Sequence, residues 1–162
     1  MVRLGPILAI VVAMTFPIPT RAGVFPVGPT RITEAMRNGS WLTVTVNVSE
    51  EPIPSTWRER LWGTDETPKT KRIVHELTIS WADTSVWIPL SAFSDLSNPR
   101  SLAFVPTKKG YSFRIQGGMD SADYEARFFV VSKSLIRRRV TMLVDPDLLS
   151  EDTHYGVFYP RE

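Results

Sequence analysis

The chain is patterned in short alternations. From residue 40 to 48, Leu42, Val44, Val46 and Val48 alternate with Trp41, Thr43, Thr45 and Asn47. A period of two puts the aliphatics on one face of a strand and the polar side chains on the other, so one face is buried and one wetter. Ile73, His75, Leu77 and Ile79 repeat the pattern against Val74, Glu76, Thr78 and Ser80. Val86 to Leu90 is a third apolar run, and its Pro89 suits an edge strand or a strand end. Ser101 to Val105 and Tyr111 to Gln116 flank Thr107-Lys108-Lys109-Gly110 as a hairpin, with Tyr111, Phe113 and Ile115 on one face. Tyr124 to Ser132 becomes apolar on both faces, as a central strand does. Leu135 to Val144 follows across Ser132-Lys133-Ser134, and Thr153 to Tyr159 is expected to form a terminal strand.

Turn residues punctuate these runs: Asn38-Gly39, Asp83-Thr84-Ser85, Gly117-Gly118 with Asp120-Ser121, and Asp145-Pro146-Asp147. Residues 23–30, with two prolines and two glycines, read as an irregular lead-in, and 91–99 as a loop or a single helical turn. The excursion over 49–71 is different, because Pro52, Pro54 and Pro68 interrupt any strand. Within it Thr56 and Glu59 have capping-box spacing and Gly63 can end a turn, which predicts one short helix with Trp57 and Leu61 on one face. About seven or eight short strands with regular turns, and no long amphipathic helix between them, predict an all-β antiparallel sandwich. A small closed β-barrel is the alternative. The cysteine pair of immunoglobulin domains is missing.

The N-terminus departs from this pattern. Met1-Val2-Arg3 is basic, Leu4 to Phe16 is uncharged and apolar, and Thr20-Arg21-Ala22 offers small residues at the −3 and −1 positions of a cut. That is the layout of a secretory signal peptide over 1–22, followed by one domain over 23–162. The apolar run is too short for a membrane span, which needs roughly 20 residues. No membrane span is therefore expected after cleavage. Without Arg3 and Arg21, the remaining basic residues balance the 17 acidic ones. Bulk charge thus gives no reason to expect a nucleic-acid partner. The chain has no cysteine, so it must hold together by burial, and it has neither thiol chemistry nor thiolate metal ligands. A disulfide-free exported domain points to the bacterial periplasm or the extracellular space. Asn38 and Asn47 head glycosylation sequons, which matter only in a host that glycosylates.

Candidate chemistry is sparse. His75 lies on the apolar alternation and is expected to be partly buried and hydrogen-bonded. Its functional alternative is a general base oriented by Asp83 or Glu76. His154 sits in an acidic stretch near the terminus, where a solvated loop is expected. No metal-ligand spacing, nucleophile elbow or phosphate-binding glycine pattern is present, so no cofactor or metal is expected. Asp83, Asp95, Asp120 and Asp123 all fall in turns, where aspartate is common anyway. In the run Arg137-Arg138-Arg139 the outer two share one strand face, and Arg138 falls among Ile136, Val140, Met142 and Val144. Such an arginine must be paired or must snorkel, or it serves as an anion-binding group in a pocket.

These readings lead to a non-enzymatic exported binding module. Its contact surface is expected on the 49–71 excursion at Trp57, Arg58, Arg60 and Trp62, since long loops tend to carry function and Trp with Arg is the usual make-up of a binding hot spot. The partner is another envelope or secreted protein, or a small ligand. One alternative is a carrier of a small acidic ligand held by Arg138. A hydrolase using His75 or His154 is the least supported reading.

Overall fold

The computed structural model describes residues 23–36, 39–52, 61–63, 70–82, 84–107, 110–131, 133–147 and 150–156. Two antiparallel sheets face each other. The first contains β1 (Gly28–Ala35), β2 (Trp41–Pro52), β3 (Thr70–Trp81) and β4 (Thr84–Val86), in that order. The second contains β5 (Pro99–Val105), β6 (Tyr111–Gly117), β7 (Tyr124–Val131), β8 (Ser134–Met142) and β9 (Ser150–His154), again in chain order. Each sheet is a plain meander and neither closes on itself, so the architecture is the β-sandwich and not the barrel. Among the described residues there are nine strands and no α-helix, only single 3-10 turns at Leu90–Ala92 and Asp120–Ala122. The short helix expected around Thr56 lies outside the described residues, as does the leader. No helix among the described residues is long and apolar enough to cross a membrane.

The core follows the alternation. Leu42, Val44, Val46 and Val48 of β2 are all but inaccessible, and each such burial is worth roughly 1.5–3 kcal/mol over exposure. In the facing sheet Phe113, Ile115, Tyr124, Ala126, Phe128 and Val130 are fully buried. Phe113 and Phe128 are cross-strand partners, stacked with ring centroids 4.7 Å apart. β7 lies at the centre of its sheet, as its two-sided apolar character predicts. β1 is a correction, because an irregular lead-in was expected where an eight-residue strand begins. It is an edge strand that starts at Gly28-Pro29, where a proline costs no ladder bond, and only Thr30 and Ile32 turn partly inward. Its apolar signal is correspondingly weak. The last strand also ends earlier than expected, at His154.

Two β-bulges correct the face assignments further. On β3, Glu76 pairs with Asn47 and Val74 with Val48, so His75 is the extra residue. Val74 therefore points into the core, and His75 is exposed where partial burial was expected. On β8, Arg137 pairs with Phe129 and Leu135 with Val130, so Ile136 is the extra residue. The reason lies in spacing. Leu135 and Val140 are both buried, yet five residues apart they would face opposite ways in a regular strand. The bulge reconciles them, and it puts Leu135 inside in place of Ile136 while leaving Arg138 on the inner face.

One crossover, residues 87–98, joins the two sheets, and its Ala92, Phe93 and Leu96 fill the interior. It is tied down from several sides. Asp95 O accepts from Trp62 N at 2.7 Å, Ser97 Oγ donates to Trp62 O at 2.6 Å, and Tyr124 Oη donates to Ser97 O at 3.0 Å. Gly63 sits in this junction at φ +82°, and a Cβ there would lie 2.6 Å from Gly118 Cα. Both facts exclude a larger residue.

Candidate functional site

The three consecutive arginines of β8 part company at the sheet. Arg138 enters the sandwich and is 1% exposed. Its Nη2 donates to Asp95 Oδ2 at 2.7 Å and its Nη1 to Ser91 O at 2.7 Å, while Glu151 Oε2 lies 3.8 Å from Nη2. The guanidinium thus fastens the crossover to the five-stranded sheet. Burial raises the Asp95 pKa above the ordinary carboxylate range, and the bond and charge of Arg138 offset only part of that rise. The Tyr124 and Tyr155 hydroxyls are pushed upward for the same reason, chiefly by burial. The two ends of the guanidinium are engaged internally, so the ion-pair expectation describes Arg138 as the structure places it.

Arg137 and Arg139 face outward with the outer residues of β6 and β7. Register aligns them in rows. Arg114, Arg127 and Arg139 occupy successive strands, with Asp152 next on β9. On one side run Ser101, Gln116, Glu125, Thr141 and Ser150; on the other, Ser112, Phe129, Arg137 and His154. Neighbouring strands lie about 4.8 Å apart, so three cationic side chains root within roughly 10 Å of one another. Like charges directly opposite across a ladder are destabilising.

The carboxylates present do not cancel this row. Glu125 is shared, accepting from Arg114 Nη1 at 3.2 Å, Gln116 Nε2 at 3.0 Å and Arg127 Nη2 at 3.0 Å. Asp152 is taken by Arg137, which reaches it from Nε at 2.7 Å and also from Nη2. That contact holds the Asp152 carboxyl below its ordinary pKa. Arg137 also lies over the Phe129 ring, 5.4 Å from its centroid. Arg139 is exposed and makes no ion pair or side-chain hydrogen bond among the described residues. Between the outer side chains of β7 and β8 opens a cavity of about 200 Å³, lined by Glu125, Arg127, Phe129, Arg137, Arg139 and Thr141. Sites for drug-sized ligands run from about 300 Å³ upward, so this one is smaller than such a site.

Of the other residues singled out from the sequence, Trp57, Arg58 and Arg60 lie outside the described residues. Trp62 is half-buried, bridges to Leu96 and packs against the core. His75 and His154 belong to different sheets and are both exposed, near Glu51 at 3.8 Å and Asp152 at 3.5 Å respectively. Asp123 pairs with Arg100. Among the described residues no group of three His, Asp or Glu side chains could hold a metal ion. Sequence reasoning missed Arg114, Arg127 and Glu125. Their outward positions follow from the alternation around Phe113 and Phe128, but their meeting in rows depends on register. No family model, curated protein or solved structure matches the chain.

Proposed function

We propose that the chain is an exported, non-enzymatic binding module that holds an anionic ligand or partner on the outer face of its five-stranded sheet. The observation that carries this is the in-register row Arg114, Arg127 and Arg139, which Glu125, shared by the first two, and Asp152, opposite the third but bonded to Arg137, leave incompletely neutralised. Like charges opposite one another across a ladder cost the fold stability, which favours a functional role for the row. Arginine suits the role because its planar fork matches carboxylate, sulfate and phosphate geometry. The acidic-ligand alternative keeps its chemistry but moves from Arg138 to Arg127 and Arg139, since Asp95 and Ser91 already engage Arg138. Export rests on the leader pattern of residues 1–22, and the absence of cysteine favours a bacterial over a eukaryotic exported domain.

The test has two parts. Mass spectrometry of the exported fraction is expected to find a chain beginning at Gly23; a full-length cytosolic chain would remove the export reading. Retention of that chain on an anionic matrix is expected to fall with rising salt and to drop further in Arg127→Gln/Arg139→Gln. Equal retention of the variant would sink the binding-face reading.

A further inference from the structure

We infer that the arginine face takes a linear acidic polysaccharide, its uronate carboxylates running across the strands along Arg114, Arg127 and Arg139. The inference rests on the anion-binding reading of this face and names its occupant. Arg114, Arg127 and Arg139 sit one per strand at a pitch of about 4.8 Å, with Arg137 beside that line on β8 and bonded to Asp152. A polymer with one carboxylate on each sugar ring presents anions singly and regularly along its length, which is the complementary pattern.

The flanking rows suit the rest of such a ligand. Thr141 and Ser150 offer hydroxyl groups to sugar hydroxyls, while Ser101 is bonded to Gln116 and Gln116 to Glu125. Glu125 in that row accepts hydrogen bonds and repels any second line of anions on its side. On the other flank lies the 200 Å³ cavity, with Phe129 in its wall beneath the Arg137 guanidinium, and it can take the edge of one ring. The charge balance points the same way. Four outward arginines against Glu125 and Asp152 leave a small local excess of positive charge. Nucleic acids and polyphosphates bind through broad basic footprints. A short row with a small excess of charge fits a hydroxyl-rich chain carrying one charge per ring better.

The experiment uses the chain beginning at Gly23 and three probes: polygalacturonate, the same polymer fully methyl-esterified, and inorganic polyphosphate. Binding is read by affinity electrophoresis and calorimetry at low and physiological salt. Polygalacturonate is expected to bind, its neutral ester not to bind, and Arg127→Gln and Arg139→Gln each to weaken binding about tenfold, as loss of one charged contact does. Thermal melting of both variants controls for folding. If polyphosphate binds as tightly as polygalacturonate or more tightly and the substitutions abolish that binding, the polysaccharide inference is overturned while the anion-binding face stands. If no polyanion binds, or the substitutions leave binding unchanged, both are overturned.

Discussion

Arg138 and Arg139 are neighbours on one strand and sit in opposite environments. Arg138 is sealed between the sheets, where desolvating it and raising the Asp95 pKa cost free energy that their bond recovers only in part. Arg139 stands in solvent between Arg127 and Asp152, where water weakens both interactions and its donors make no side-chain hydrogen bond among the described residues. The difference teaches that a run of like charges is not one feature. Its members are sorted by strand parity, and here a single bulged residue does the sorting. In an unbulged strand with Leu135 inside, Arg137 and Arg139 would both enter the core and Arg138 would leave it.

The comparison can be broken most forcefully at its buried member. Arg138→Leu strands the Asp95 carboxylate beneath the crossover and is expected to destabilise the domain by about 3 kcal/mol, read as a lower urea midpoint. Replacing both partners, as in Arg138→Met/Asp95→Leu, is expected to recover most of that loss, because the penalty belongs to the uncompensated charge. An unchanged midpoint in Arg138→Leu would show that the crossover is held by other contacts. Deleting Ile136 is the next largest change, at about 1 kcal/mol. It removes the bulge yet keeps Leu135, Arg138 and Val140 facing inward, so the domain is expected to fold and to retain polyanion binding. Loss of the fold would mean that the bulge does more than set parity.

At the exposed member the expected effect on stability is small. Arg139→Gln should shift unfolding by no more than about 0.5 kcal/mol. It removes repulsion from Arg127 on one side and attraction to Asp152 on the other. A clear loss of stability would show that Arg139 has a structural partner. The two aspartates give the smallest and sharpest contrast. The raised pKa of Asp95 means that the folded chain binds its proton more readily than the unfolded one. Its contribution to stability is therefore fully present below the ordinary carboxylate pKa, about 3.9, and declines as pH rises through the higher folded value. Asp152, held low by Arg137, behaves in the opposite way. Its contribution is present above the ordinary value and is lost as pH falls through the lower folded one. Stability against pH, compared between the parent chain and Asp95→Asn or Asp152→Asn, should show slopes of opposite sign, with the Asp152 term fading in salt. Slopes of the same sign would contradict these environments.

How much of this was legible depends on what a residue's neighbours along the chain can reveal. Leu42 to Val48 and Tyr111 to Ile115 sit in regular strands, and alternation assigned their faces correctly. His75 and Ile136 were assigned to the wrong face, because a bulge is decided by the partner strand and by core residues that both demand burial. Arg138 was readable as an inward arginine in need of a partner. Asp95, 43 residues away, was readable only as a turn aspartate. Arg114 and Arg127 carried no signal at all as single outward residues.

The sequence by itself therefore determined the all-β class, the order of most strands and the inner faces of the regular ones. These rest on a two-residue period and on turn residues, which are local properties of the chain. Only the tertiary structure decided that two meanders stack as a sandwich, that the crossover is latched by Arg138, and that three arginines line up on one exposed face. Each of these depends on register between strands. Register is set by burying both partners' apolar faces together, a condition on pairs of segments that no single segment contains.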